Sequence, residues 1–261
     1  MTTLLKVDHV SKIFGGLKAV EDVSMHVETG ELVALIGPNG AGKTTLFNAL
    51  TGVSPATEGT VAFRVGKTMV SLDKKKPYQV AKMGIARTFQ NIRLFHQLSV
   101  RENLQAAMTH RYKEGFVSSI LRLPAFSKQE ALANKWTDEI LAKLDLTDVA
   151  DVITANLPYG TQRRIEIARA VATDPQLIFL DEPAAGMNPE ETADLAHLIK
   201  RLQTEFGLTV VLIEHDMSLV MSLAERIYVL EHGKLIAEGT PSEIQHNDAV
   251  INAYLGGGVH A

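Results

Sequence analysis

The chain has no cysteine, which removes disulfides and thiolate metal sites and suits a reducing compartment. It has no excess of positive charge either: 26 Lys and Arg stand against 30 Asp and Glu, a formal net charge of -4. Without an overall basic footprint, nucleic acid is not an expected partner. No apolar run approaches the ~20 residues that span a bilayer, so any membrane role must come through a partner. The opening segment, Thr2-Thr3-Leu4-Leu5-Lys6, meets charge before an apolar core can form and does not read as a signal peptide. What is present is ordinary globular material, 46% hydrophobic and 21% charged over 261 residues. That length allows one sizeable core with room for an inserted lobe, since single cores stop growing near ~250 to 300 residues.

Leu4 to Val10 and Val20 to Val27 read as strands on alternation, and Glu31 to Ile36 as a short buried strand. Thr44 to Leu50 reads as a helix, Gly52 to Gly59 as a turn-rich exit, Gly59 to Leu72 as further strand, and Lys74-Lys75-Lys76 as a solvated loop. From Asn91 to Asn156 the pattern turns helical. Ser99-Val100-Arg101-Glu102 and Ser127-Lys128-Gln129-Glu130 are spaced as capping boxes. Leu132, Ala133, Trp136, Ile140, Leu141 and Leu144 then recur at helical spacing. Trp136 and Met108 read as packing residues of this inserted lobe. Beyond it, Gly160 to Ala172 and Pro189 to Phe206 read as helices, and Leu177 to Leu180 and Thr209 to Ile213 as buried strands. Ile227 to Leu230 and Lys234 to Ala237 form a hairpin around His232-Gly233. Strands alternating with helices predict an α/β fold with a largely parallel sheet.

Two stretches carry chemistry. Gly37-Pro38-Asn39-Gly40-Ala41-Gly42-Lys43-Thr44, followed by Thr45, fits a phosphate loop between an apolar strand and a helix. Its glycines let backbone amides wrap phosphates, Lys43 neutralises them, the Thr44 hydroxyl can ligate magnesium, and the helix start adds its positive end. Leu177-Ile178-Phe179-Leu180-Asp181-Glu182 is an apolar strand ending in carboxylates. There Asp181 would hold magnesium through water, and Glu182 would polarise the attacking water. An apolar run ending in Asp-Glu is weak alone; coupled to a phosphate loop it gains weight.

With these stretches, Leu157-Pro158-Tyr159-Gly160-Thr161-Gln162-Arg163-Arg164 resembles the signature of ABC-type ATPases, and the chain is similar to ABC transporter nucleotide-binding subunits over nearly its whole length. The resemblance implies a P-loop NTPase, RecA-like core with an antiparallel β subdomain and an inserted helical subdomain. The core takes residues 1–90 and 157–261 and the helical subdomain 91–156. It implies ATP and Mg2+ as ligands, adenine stacking on Phe14 with Val20 on the same base face, and Gln90 touching magnesium and the attacking water at the hinge to the helical lobe. Ala184-Ala185-Gly186-Met187-Asn188 falls where the family has its dimer-contact loop, and His215 where a histidine bonds the γ-phosphate. The other eight of the 9 histidines lack ligand spacing. Leu157, Pro158, Tyr159, Gly160 and Thr161 would close over the nucleotide of a second ATPase subunit. Two membrane-spanning permease subunits, and indirectly a substrate-binding protein, are the further implied partners, with the chain peripheral on the cytoplasmic face of the membrane. Leu94 and Phe95 are candidates to meet a permease helix.

The wording of the motifs is most similar to ATPase subunits of branched-chain amino acid importers. Phe14-Gly15-Gly16-Leu17-Lys18-Ala19-Val20, Arg87-Thr88-Phe89-Gln90-Asn91, the signature, Ala184-Ala185-Gly186-Met187-Asn188-Pro189, Leu123-Pro124-Ala125-Phe126 and Ala253-Tyr254-Leu255-Gly256 carry this. Alternatives are another cargo, such as urea, another amide or a lipid, and a soluble scaffold or regulatory ATPase with no transport role; fold-level analogy does not choose a cargo. The signature departs from the usual Leu-Ser-Gly-Gly-Gln form. Pro158 has neither hydroxyl nor N–H, which predicts two unequal ATP sites in the dimer.

Overall fold

The computed structural model describes residues 2–108 and 124–256. Leu123, quoted from the sequence, lies outside them. Alternating apolar residues build β1 (Thr3–Phe14) and β2 (Leu17–Glu28), which pair antiparallel. Gly15 and Gly16 turn the chain between them with φ of 52° and 95°. Strands β4 (Glu58–Val65) and β5 (Thr68–Ser71) complete an antiparallel sheet in the order β2-β1-β4-β5. The second sheet takes β3 (Leu32–Ile36), β6 (Ile85–Arg87), β7 (Leu177–Asp181), β8 (Thr209–Ile213), β9 (Arg226–Glu231) and β10 (Lys234–Gly239) in the order β10-β9-β3-β8-β7-β6. Neighbours from β9 to β6 are parallel, and only the β9–β10 hairpin is antiparallel.

Every residue of β3, β7 and β8 is buried, as continuous apolar runs covered on both faces require. Helix α1 (Lys43–Leu50) contributes Leu46, Phe47 and Leu50 to a core that also takes Leu5, Val7 and Phe63 from the first sheet and Leu35, Phe179 and Val211 from the second. Phe47 meets Phe179 edge to face, with ring centres 4.9 Å apart. Helix α2 (Pro77–Lys82) has no counterpart in the sequence reading. It starts on a proline directly after the Lys74-Lys75-Lys76 loop and buries only Val80, too little for a helical period to register.

Chain contacts divide the protein into Met1–Gln90 with Gln176–Ala261, and Asn91–Pro175. The inserted unit therefore extends past the boundary expected at Asn156, because the signature helix packs within it. It holds α3 (Val100–Met108), α4 (Pro124–Lys143) and α5 (Tyr159–Ala172). Leu104 and Met108, Ile140 and Leu141, and Ile165 and Ala168 are among the buried residues of the three, and Leu144 is buried just past α4. The box at Ser99 forms, with Ser99 N–H on Glu102 Oε2 at 2.8 Å and Glu102 N–H on Ser99 Oγ at 3.2 Å. Ser127 starts no helix, since α4 already runs from Pro124, and proline suits a first helical position. Leu132 departs from the expected apolar face and is 62% exposed, whereas Trp136 donates its indole N–H to the Ala172 carbonyl at 3.4 Å.

In the first unit, α6 (Pro189–Phe206) has the predicted bounds. Asn188 accepts from Glu191 N–H at 2.9 Å, Glu191 answers on Asn188 N–H at 3.0 Å, and Gly207 ends the helix in the left-handed region. The remaining helices there are α7 (Met217–Leu223), α8 (Pro241–Gln245) and α9 (Asp248–Gly256). Among the described residues no helix is long and apolar enough to cross a membrane.

Candidate active site

The residues with chemistry stand at the carboxyl ends of parallel strands. β3 leads into the loop at Gly37, β6 into Thr88-Phe89-Gln90, β7 ends in Asp181-Glu182, and β8 leads into Glu214-His215. In open parallel sheets this edge is where ligands bind.

The phosphate loop is shaped by its contacts. Gly37 and Gly42 take φ of 150° and 101°, and a Cβ on either would strike a backbone carbonyl, Leu230 in one case and Ala19 in the other. Gly233, at the tip of the β9–β10 hairpin, donates its N–H to the Ala41 carbonyl at 2.9 Å and accepts from Glu21 N–H at 2.8 Å. His232 and Gly233 both have positive φ, 46° and 82°, the pairing that a tight hairpin turn demands. The turn braces the loop. Lys43 is buried and donates to the Gly37 and Pro38 carbonyls at 2.6 and 3.0 Å. Burial lowers its pKa, opposed by the charges of Glu182 and Asp181.

A cleft of about 470 Å³ opens here, lined by Leu17, Lys18, Ala19, the loop from Asn39 to Thr45, Glu182, His232 and Gly233. Its volume falls within the ~300 to 1,000 Å³ of small-molecule sites. The exposed backbone of Gly40, with nothing within 4 Å of the Cβ position, fits a phosphate-wrapping loop. Among the residues placed together, Phe14 is 50% exposed and pairs in the ladder with Leu17 of the cleft wall; Lys12 Nζ lies 5.1 Å from its ring centre. Val20 does not join them. It is fully buried in the core and is not among the residues lining the cleft, where Leu17, Lys18 and Ala19 present that strand.

Gln90 and Glu182 meet directly, the Gln90 amide donating to Glu182 Oε2 at 2.9 Å. Glu182 has φ of 45°, a left-handed conformation that costs a non-glycine residue on the order of 1 kcal/mol or more. Its N–H donates to the Ile213 carbonyl at 2.9 Å. Asp181 is buried against Arg87, whose Nη2 lies 2.8 Å from Asp181 Oδ2 while Nη1 donates to Asn48 Oδ1 at 2.7 Å and Thr51 Oγ1 at 3.1 Å. The hydroxyl of Thr44, the carboxylate of Asp181 and the amide oxygen of Gln90 are hard oxygen donors of the kind magnesium takes alongside substrate phosphates.

His215 follows β8, is 60% exposed, and has Nδ1 3.6 Å from Glu214 Oε2. Glu214 itself is fully buried. Burial pushes its carboxyl up, opposed by N–H groups of Ala184, His215 and Asp216. Sequence motifs assign a site role to neither Arg87 nor Glu214. A charged residue next to a short buried strand was the available signal.

The signature lies in the inserted unit. Pro158 is the N-cap of α5 and supplies no side-chain cap; Gln162 Nε2 instead donates to the Leu157 carbonyl at 2.8 Å. Pro158 and Tyr159 are exposed, Leu157 and Thr161 are half-buried, and Gly160 is buried. Arg163 is fully buried and paired with Glu166 at 2.7 Å. Of the two candidates to meet a permease, Leu94 is buried and Phe95 is 54% exposed, with the Arg169 guanidinium 5.5 Å from its ring centre.

A family model described as ABC transporter matches residues 20–185, and one described as branched-chain amino acid ATP-binding cassette transporter matches residues 234–260. The chain is 46% identical over 253 residues to the high-affinity branched-chain amino acid transport ATP-binding protein LivG of Salmonella typhimurium, covering 97% of this chain and 98% of that protein. Among solved structures, the ADP conformation of MJ1267, an ATP-binding cassette of an ABC transporter, superposes with a TM-score of 0.82 at 31% identity, over 98% of this chain and 100% of that one. The dimeric post-hydrolysis state of the cassette MJ0796 bound to ADP and Pi gives 0.72 at 25% identity, over 91% and 99%.

Proposed function

The chain belongs to the ABC transporter family of ATP-binding cassettes, and we propose that it is the ATP-hydrolysing subunit that powers an importer of branched-chain amino acids. The ATPase reading rests above all on one observation: Glu182, at the end of a buried strand, faces the same cleft as Lys43 and holds the amide of Gln90 at 2.9 Å. A carboxylate placed beside a phosphate loop is positioned to polarise a water. The cargo reading rests on the near full-length similarity to LivG and on the match at residues 234–260.

In this reading Lys43 neutralises the β- and γ-phosphates, the loop amides wrap them, and Phe14 stacks on adenine. Glu182 accepts the proton of the attacking water, which Gln90 orients, and His215 bonds the γ-phosphate. Thr44, Asp181 and Gln90 would hold magnesium, which when bound would neutralise charge developing on the phosphates.

The partner subunits follow from the signature. Leu157 to Thr161 close over the nucleotide of a second ATPase subunit, so two ATP molecules stabilise a closed pair through contacts absent when the pair is open. Phe95 with Arg169 forms the surface offered to a permease. The chain works at the cytoplasmic face of the membrane through those subunits. The test is reconstitution with permease, partner ATPase and binding-protein subunits in vesicles. ATP-dependent uptake of labelled leucine is the expected result. Uptake of another solute with none of leucine, isoleucine or valine would defeat the cargo assignment, and failure to bind any membrane subunit would defeat the transport role.

A further inference from the structure

Glu214 is a fully buried carboxylate one residue before His215, and a buried charge is expensive unless its lone pairs are used. Here both oxygens are used, and by different loops. Oε1 accepts the N–H of Ala184 at 2.8 Å, and Oε2 accepts the N–H of His215 at 3.1 Å.

The placement is specific. The β7–β8 ladder reaches Asp181 opposite Ile213, and Glu182 N–H still finds the Ile213 carbonyl at 2.9 Å. Past that point the two chains part, one toward Ala184 to Asn188, the other into His215. The Glu214 side chain spans the gap and acts as one more rung, formed by a carboxylate where backbone pairing has ended. The Ala184 bond, at 2.8 Å, has the length of a charge-assisted hydrogen bond, about twice as strong as a neutral one. The two loops it joins carry Glu182 on one side and His215 on the other.

We propose that Glu214 is a positioning residue that locks the loop after Glu182 to the His215 loop, so that base and γ-phosphate contact are held in register and move as one. Because Ala184 begins the segment leading to Asn188, the same clasp passes any displacement of that segment to His215. The inference rests on the ATPase reading above.

The test is Glu214→Gln, which preserves shape but turns one acceptor into a donor facing an N–H. Full-length protein assembled with its membrane subunits is assayed for ATP hydrolysis, and the binding of a fluorescent ATP analogue is measured in parallel. Loss of one charge-assisted bond predicts a kcat lower by about 10- to 100-fold, with KM and analogue binding within about twofold because the Lys43 loop is untouched. Added to His215→Ala, Glu214→Gln should lower kcat no further, since interacting residues do not add. A kcat within twofold of wild type overturns the proposal. So does a loss shared equally by analogue binding, or one that multiplies with His215→Ala, for then Glu214 is only a packing residue. An inactive wild type removes the ATPase reading and this inference together, whereas an active wild type with an unaffected variant removes this inference alone.

Discussion

Arg87 Nη2 lies 2.8 Å from Asp181 Oδ2, and both side chains are almost wholly buried. The same guanidinium reaches Asn48 and Thr51 of the α1 segment and stacks against Phe47 and Phe89, its carbon 5.8 and 5.3 Å from their ring centres. Removing one partner of a buried pair leaves an uncompensated charge, at a cost of about 3–5 kcal/mol. Arg87→Met is therefore expected to lower the urea unfolding midpoint sharply, and Arg87→Met with Asp181→Asn to recover part of the loss. A single variant as stable as wild type would show that Asp181 does not depend on this arginine.

Glu182→Gln separates binding from chemistry. The amide keeps the size of the side chain, so ATP binding should persist, while hydrolysis falls by about 100-fold or more as the proton acceptor is lost. Single-turnover hydrolysis of bound ATP measures this; an undiminished rate would move the base role to another residue.

Lys43→Met sets stability against activity. The folded protein lowers the pKa of Lys43 through burial, so the fold disfavours the charged form. That penalty is present at pH below the folded pKa and disappears as pH rises through it toward the unfolded value. The variant is expected to melt no lower than wild type at neutral pH, with the stability difference narrowing toward alkaline pH, and to lose ATP affinity. A melting temperature several degrees below wild type would mean that the two carbonyl bonds of Lys43 outweigh its desolvation.

Pro158 gives an asymmetry to measure. Its position at the start of α5 lacks a side-chain cap, so in the proposed pair the signature would offer the partner's nucleotide neither a hydroxyl nor an N–H at that place. Disabling Glu182 and disabling the corresponding glutamate of the partner ATPase should reduce hydrolysis unequally, and Pro158→Ser should raise the slower site. Equal losses, with no effect of the serine, would leave the pair symmetric.

Much of this was legible locally. Asn188, Pro189 and Glu191 mark the start of α6 because cap, first turn and box act within four residues, and the phosphate loop was readable for the same reason. Ser127 shows the limit, since its box spacing fits a start that Pro124 already supplies. Motif position points Val20 at the adenine face shared with Phe14, yet Val20 is buried in the core while Ala19 lines the cleft. Arg87 and Glu214 stayed invisible because their partners, Asp181 and Ala184, are distant along the chain. No spacing rule links residues that only the sheet order brings together.

The hairpin turn at His232-Gly233 that braces the phosphate loop has a consequence during synthesis. Gly233 reaches Ala41 across about 190 residues of chain. At ~5–20 residues per second, a growing chain displays Gly37 to Thr44 for about 10–40 s before the strand pair that holds the loop has left the ribosome. The brace on the phosphate loop thus forms only late in synthesis, after most of the core strands have been made.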